Sequence, residues 1–298
     1  MHNLVELEDY IAGVVPSELV LWSAEEEEIA AQAIAARTYA LRSMVERSRG
    51  TPSAFLWDDT RDQVYIGVFQ SGNSSAARRV HERYLRGLDR GRSRVVVDEH
   101  GQLYDVRFHA SCGGVTCSPA EAFPRESVLH HAPVPCEPCR SLGEEERTWA
   151  VSDARRRQVH WTWTADASSL AQLAAKTGIG GRTIALGSPH KDQNERWQSL
   201  ELQGDSSRAR ISIEMLRREL DPALLKSGLI LRTWPAAGTE ITSGVFFEGL
   251  GRGHGAGLCQ IGSHAFASRG WSARQILAHY LPGARLASIA DNATADPL

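Results

Sequence analysis

The run EEEIAAQAIAARTYALRSMVERS, Glu26 to Ser48, constrains the fold more than any other stretch of this chain. Its apolar residues are mostly alanine, a strong helix former, so it reads as one long helix whose small face lets neighbours pack closely. Ser23, with Glu26 three residues on, reads as a capping box that opens this helix. Glu25 to Glu28 then fall in the first turn, where the helix dipole favours negative charge. The acid cluster is thereby explained without chemistry. Glu18 is not, because it precedes the cap and closes the stretch GVVPSE in an otherwise apolar run. Apolar surroundings push a carboxyl toward its protonated form, and a carboxyl that keeps its proton near neutrality is a general acid.

Around the long helix the chain reads as α+β. Leu7 to Val14 suggests a short helix stopped by Pro16. From Arg94 the signals turn to β: RVVV, a turn at His100-Gly101 and QLYDVRF read as a hairpin. A helix is expected from Ser168 to Lys176, and strands near Thr183, at Trp197 to Gln203 and at Arg208 to Ile213. A short helix near Met215, a strand around Ile230 and a strand in GVFFEGL follow. Two helices close the pattern, the second opened by Ser272 with Gln275. At 298 residues the chain can hold one large domain or two modest ones. A net charge of −3 argues against a partner bound through its phosphates, and Arg155-Arg156-Arg157 reads as a solvated patch. No apolar run approaches the ~18–20 residues that span a bilayer. The first residues, MHNLVELEDY, lack the basic start and apolar centre of a secretory signal.

Two further stretches carry chemistry. In GLGRGHGAGLCQ, glycines 249, 251, 253, 255 and 257 alternate with larger residues ahead of a helix. A phosphate cradle is one reading, but the G-K-S/T ending of a P-loop is missing. The other is close backbone approach to a second surface, with His254 held at its edge. Cys112 and Cys117 in CGGVTC, then Cys136 and Cys139 in CEPC, are separated by four, eighteen and two residues. This is close to the two-knuckle spacing of a structural zinc site. Two disulfides are the rival, although a C-x-x-C disulfide is tight. Cys259 reads as a small packed residue or a cleft-lining one.

The segments EDYIAGVVPSE, AAQAIAARTYAL, QVYIG, FHASCGG and GRGHGAGLCQIGSHAFASRGWSARQILAHYLPG occur in that order. Together they resemble the SpoIID/LytB family, the stage II sporulation protein D type of peptidoglycan enzyme, from about Glu8 to Pro282. The resemblance implies a helical part, about residues 7–90 and 250–284, and a β-rich insertion, about 94–249, around a shared cleft. Residues 285–298 would be a C-terminal tail. It implies a lytic transglycosylase with Glu18 as the catalytic acid and peptidoglycan glycan strands as substrate. Arg37, Tyr65, Ser111, Gly113, His254 and Gln260 are the expected substrate-side residues. Some family members bind zinc, so His109, His130 or His131 could replace one thiolate. The LytB branch implies the alternative, a wall-binding protein that assists a cell-wall amidase. Ala30, standing where relatives usually carry lysine, favours that alternative. The substrate implies an extracytoplasmic location.

Overall fold

The computed structural model describes residues 3–49, 55–69, 72–123, 132–148, 157–179, 185–236 and 239–289, with the backbone of 296–297. His130 and His131 lie outside the described residues, as do the residues around Thr183 where a strand was expected. In chain order the elements are α1 (Leu7–Glu18), α2 (Glu26–Ser48), α3 (Ser75–Gly91), β1 (Arg94–Val97), β2 (Phe108–His109), α4 (Pro119–Ala122) and α5 (Glu137–Thr148). There follow β3 (His160–Asp166), α6 (Ala167–Lys176), β4 (Ala185–Lys191), β5 (Trp197–Gln203), β6 (Arg208–Ser212), α7 (Ile213–Leu220) and β7 (Ile230–Trp234). The last are β8 (Gly244–Leu250), β9 (Leu258–Cys259), α8 (Gln260–Ser268), α9 (Ala273–Tyr280), β10 (Arg285–Ser288) and β11 (Asp296–Pro297). The mixed α+β class read from the sequence holds. The chain divides into two units, one drawn from Met1–Phe108, Ser127–Ala132 and Gly257–Leu298, the other from His109–Glu126 and Pro133–Ala256.

In the first unit α2 is the central pillar, with Ile29 through Arg37 almost fully buried. Its alanines do what the sequence suggested: a Cβ on Gly91 of α3 would lie 2.9 Å from the Ala30 carbonyl, and one on Gly87 would lie 2.6 Å from Ile29 Cβ. Small residues on both helices let the backbones approach. The cap differs from the sequence reading by two residues. Glu25 is the N-cap, and Glu28 closes the box by accepting from the Glu25 amide at 3.1 Å. Ser23 Oγ instead donates to the Val20 carbonyl at 3.3 Å.

Helix α1 also departs from expectation, because it runs through Pro16 to Glu18 rather than stopping at Val14. Proline cannot donate to the carbonyl four residues back. That carbonyl, on Ala12, accepts from the Tyr84 hydroxyl at 2.5 Å. The hydroxyl replaces the missing helix bond, and the helix continues far enough to carry Glu18. The expected hairpin after Arg94 is short: Val97 bridges Leu103 across a turn, while β1 pairs antiparallel with β10, Val96 opposite Leu286. Part of the stretch read as a tail is therefore strand.

The second unit has two three-stranded antiparallel sheets, ordered β3-β8-β7 and β4-β5-β6. Trp161, Leu170, Leu186, Leu200, Ile211 and Phe247 belong to its core. Trp161 lies opposite Gly249, where any Cβ would meet the indole at 2.2 Å. Among the described residues no helix is long and apolar enough to cross a membrane.

Candidate functional site

Glu18 is the last residue of α1, half-buried, and its Oε2 accepts from Gln260 Nε2 at 2.9 Å. Gln260 is the first residue of α8, and the same nitrogen reaches Gln32 Oε1 on α2 at 3.5 Å. The end of α1, the second turn of α2 and the start of α8 thus meet at residues 18, 32 and 260. Burial raises the Glu18 pKa above the ordinary carboxylate value, and the Gln260 bond pulls it part of the way back. The helix adds to the upward push: its C-terminal end is the negative pole, and the last turn of α1 holds no basic residue. Among the described residues neither a cation nor a second carboxylate touches Glu18. The arrangement is a lone acid with a raised pKa, held by the Gln260 amide. An apolar groove of about 380 Å³ opens beside the same helix end, lined by Pro16, Leu19, Val20, Trp22, Phe69 and Val80, with Trp22 65% exposed.

Of the other expected residues, only Gln260 joins Glu18. Arg37 is fully buried and committed elsewhere: it donates to both Glu8 carboxylate oxygens at 2.9 and 2.6 Å and to the carbonyls of Gly91 and Arg94 at 2.8 and 3.0 Å. It ties α1 to α2 and to the chain entering β1. Tyr65 packs on α1, stacked on Tyr10 at 5.5 Å between ring centroids and covering Gly13, where a Cβ would lie 2.2 Å from the ring. These two residues hold α1 in place. Sequence reasoning passed over Gln32 and the pair Glu28–His264, whose Oε2–Nδ1 distance is 2.9 Å. Their signal was the i, i+4 spacing of Glu28 with Gln32 and of Gln260 with His264 on two helices.

Ser111, Gly113 and His254 belong to the second unit. Ser111 is fully buried and exchanges backbone bonds with Arg252, at 3.1 and 2.8 Å. Gly113 takes φ 80°, and a Cβ there would lie 2.8 Å from Leu229 Cδ2. The glycine loop does permit close approach, as the alternation suggested: Gly251, Gly253 and Gly255 all have positive φ, and a Cβ on Gly255 would fall 2.8 Å from the Arg196 guanidinium. His254 accepts from the Ala256 amide at Nδ1, 3.1 Å, and its ring meets His109 and Phe123.

Within this unit the thiols of Cys112, Cys136 and Cys139 lie within 4.8 Å of one another, all buried and none in a disulfide. Cys112 Sγ also accepts from the Gly114 amide at 3.5 Å. Cys117, expected to complete the set, points elsewhere: its Sγ donates to the His254 carbonyl at 3.1 Å, and its amide bonds the Gly255 carbonyl at 2.9 Å. Pairing with the glycine loop turns it away, and burial pushes its thiol up to about 11. His109 is also outside the thiol group. Its Nδ1 bonds the Ala256 carbonyl at 2.9 Å, and burial holds its pKa down to about 4, so the ring is neutral at pH 7. Beneath the loop Arg196 is buried, its Nη2 on the Cys112 carbonyl at 2.8 Å and, among the described residues, its Nη1 without a hydrogen-bond partner. Among the described residues no carboxylate pairs with this guanidinium.

Glu18 on the end of α1 is thus held by Gln260 of α8, which Gln32 of α2 meets in turn. The comparisons with known proteins meet that segment. Residues 1–97, which carry Glu18 and Gln32, match the model of the SpoIID family, described as stage II sporulation protein. An uncharacterised protein of Brachyspira hyodysenteriae is 26% identical over 94% of this chain and 66% of its own length. Stage II sporulation protein D of Bacillus amyloliquefaciens is 25% identical over 94% of this chain and 73% of its own length. The chain thus spans about two thirds to three quarters of these relatives.

Proposed function

We propose that the protein is a peptidoglycan lytic transglycosylase whose single catalytic group is Glu18. SpoIID relationship supports work on the cell wall, and the uncharged company of Glu18 carries the finer reading. An ordinary glycosidase needs two carboxylates flanking the scissile bond; here, among the described residues, one acid stands alone, its pKa raised by burial. Its carboxyl protonates the oxygen bridging N-acetylmuramic acid to N-acetylglucosamine as an oxocarbenium-like centre develops at C1. The resulting carboxylate takes the proton of the muramic acid C6 hydroxyl, whose oxygen closes onto C1. A 1,6-anhydro sugar forms, the acid is regenerated and no water is consumed. Gln260 holds the carboxyl in one orientation through both steps, and the groove with Trp22 offers an apolar face to a sugar ring.

The test is mass spectrometry of purified glycan strands after incubation with the protein. Anhydro ends should appear, and Glu18→Gln should reduce them ~10²-fold or more, the usual size of a general acid–base contribution. Reducing ends instead would indicate hydrolysis and a second carboxylate. The other reading, a non-catalytic wall-binding protein that assists an amidase, is favoured by Ala30, which is sealed under Gly91 and offers no amine. No cleavage by wild type, with stimulation of an added amidase, would select it. Either reading puts the protein where the wall is, outside the cytoplasmic membrane.

We infer further that Cys112, Cys136 and Cys139 contribute to a structural zinc site. Their thiols are close, buried and of the soft donor type that suits zinc, and Cys136-x-x-Cys139 spans the start of α5, where thiolates are favoured. Arg196 supports the inference, since a buried guanidinium without a carboxylate calls for negative charge nearby, and zinc-bound thiolates supply it. Elemental analysis should find about one zinc per chain; absence of metal together with absence of titratable thiols on denaturation would give the cysteines to disulfides.

A further inference from the structure

Helices α2 and α8 are joined by two polar rungs. Gln32 faces Gln260, and one turn away Glu28 faces His264. The rungs run in opposite chain directions, residue 28 with 264 and 32 with 260, and share one face of each helix because each step is four residues. They differ in strength. The glutamine rung is loose: its only bond is 3.5 Å long, and Gln32 Nε2 is buried without a hydrogen-bond partner among the described residues. It cannot by itself fix where Gln260 points. The other rung is a strut. Glu28 is almost fully buried and already anchored in the cap of α2, accepting from the Glu25 amide, and its carboxylate takes the His264 Nδ1–H at 2.9 Å.

We propose that His264 and Glu28 are positioning residues that set the placement of α8, hence of Gln260, and through it the acidity of Glu18. Helix α8 has only nine residues and begins at Gln260, so a side-chain tie four residues in governs the register of its first turn. Geometry alone makes the case; chemistry adds a dependence on pH. The Glu28 bond and, more weakly, Glu25 before α2 raise the His264 pKa, while partial burial and then Arg83 on α3 lower it, and the net shift is upward from 6.5. Below that raised value the bond is between ions and strong; above it the imidazole still donates, as a neutral group, with roughly half the strength. The strut slackens as pH rises and does not break. His264 itself touches no reacting atom in this scheme. Its side chain is 38% exposed, which lets solvent protons reach it.

The inference rests on Glu18 being the working acid, yet its test does not need turnover. The Glu18 carboxyl is titrated by carbon NMR in the full-length protein. In His264→Ala the Gln260 bond to Glu18 weakens, and since that bond lowers the Glu18 pKa, the midpoint should rise by about half a pH unit or more. Glu28→Gln should move it the same way. His264→Gln, which keeps a donor to Glu28, should restore most of the wild-type midpoint while removing its dependence on imidazole ionisation. An unchanged midpoint in His264→Ala, in protein whose circular dichroism is that of wild type, would overturn the proposal. Should the NMR shift appear while wild-type protein releases no anhydro ends, the positioning role stands and the transglycosylase reading falls.

Discussion

Each unit buries an arginine, and the two could hardly be treated more differently. Arg37 in the first unit meets a carboxylate with two nitrogens and backbone carbonyls with a third. Arg196 in the second has a carbonyl for one nitrogen and, among the described residues, no hydrogen-bond partner for another. Glu18 is the mirror case, a carboxyl with an amide for company. Burial of a charged group is ordinary when its partner is buried with it; burial without one points to function or to something bound. With its charge met by Glu8, Arg37 ties α1 and α2 together, although the family resemblance made it a site candidate, and Arg196 is the residue that asks for an explanation.

Three substitutions would break or sharpen this contrast. The largest effect is expected from Arg37→Met, which strands the Glu8 carboxylate and the carbonyls of Gly91 and Arg94. Breaking a fully buried pair costs about 3–5 kcal/mol; with Glu8 32% exposed the loss should lie near the lower figure, seen as a melting temperature lower by roughly 5–10 °C. A loss under about 1 kcal/mol would show that the clasp is ornamental. Arg196→Met comes next, and its sign should depend on metal. With zinc chelated, removing an uncompensated buried charge should be neutral or stabilising. With zinc bound, the same change should weaken zinc retention against a chelator about tenfold, the factor that 1.4 kcal/mol of lost charge pairing gives. Equal effects with and without metal would detach Arg196 from the thiols.

The smallest effect concerns the stability of Glu18→Gln. A carboxyl whose pKa is raised on folding contributes stability that is complete below its unfolded value, about 4.3, and is lost as pH rises through the folded one. At pH 7 wild type bears the cost of ionising it and the glutamine variant does not. The variant should therefore melt higher at pH 7, by on the order of 1 °C, and show no advantage at pH 4. An advantage that grows on acidification would mean that the Glu18 pKa is depressed.

What the sequence revealed of all this followed the range of the forces involved. The extent of α2 and the Ser272–Gln275 cap of α9 were readable because they depend on neighbours in the chain. Helix α3 was not read from the sequence: Ala77, Val80, Tyr84, Gly87 and Gly91 keep the three-four spacing of a buried face, but its many arginines mask it. The continuation of α1 past Pro16 was not readable, because its remedy, Tyr84, lies 72 positions away. Glu18 stood out for lacking a local reason to exist. Its braces did not, since Gln32 looks like any polar residue on a helix until Gln260 arrives beside it. The zinc spacing identified three thiols that come together and one that does not, because backbone pairing with a glycine loop, invisible to cysteine counting, decides where Cys117 points.

Gln260 reaches Glu18 across 242 positions of chain. The acid and the amide that holds it are therefore synthesised far apart in time, and a polypeptide made through α2 but not yet through α8 carries the carboxyl without that amide. The two meet only once α8 has settled against α2, so the Glu18–Gln260 bond is a mark of completed folding in the first unit.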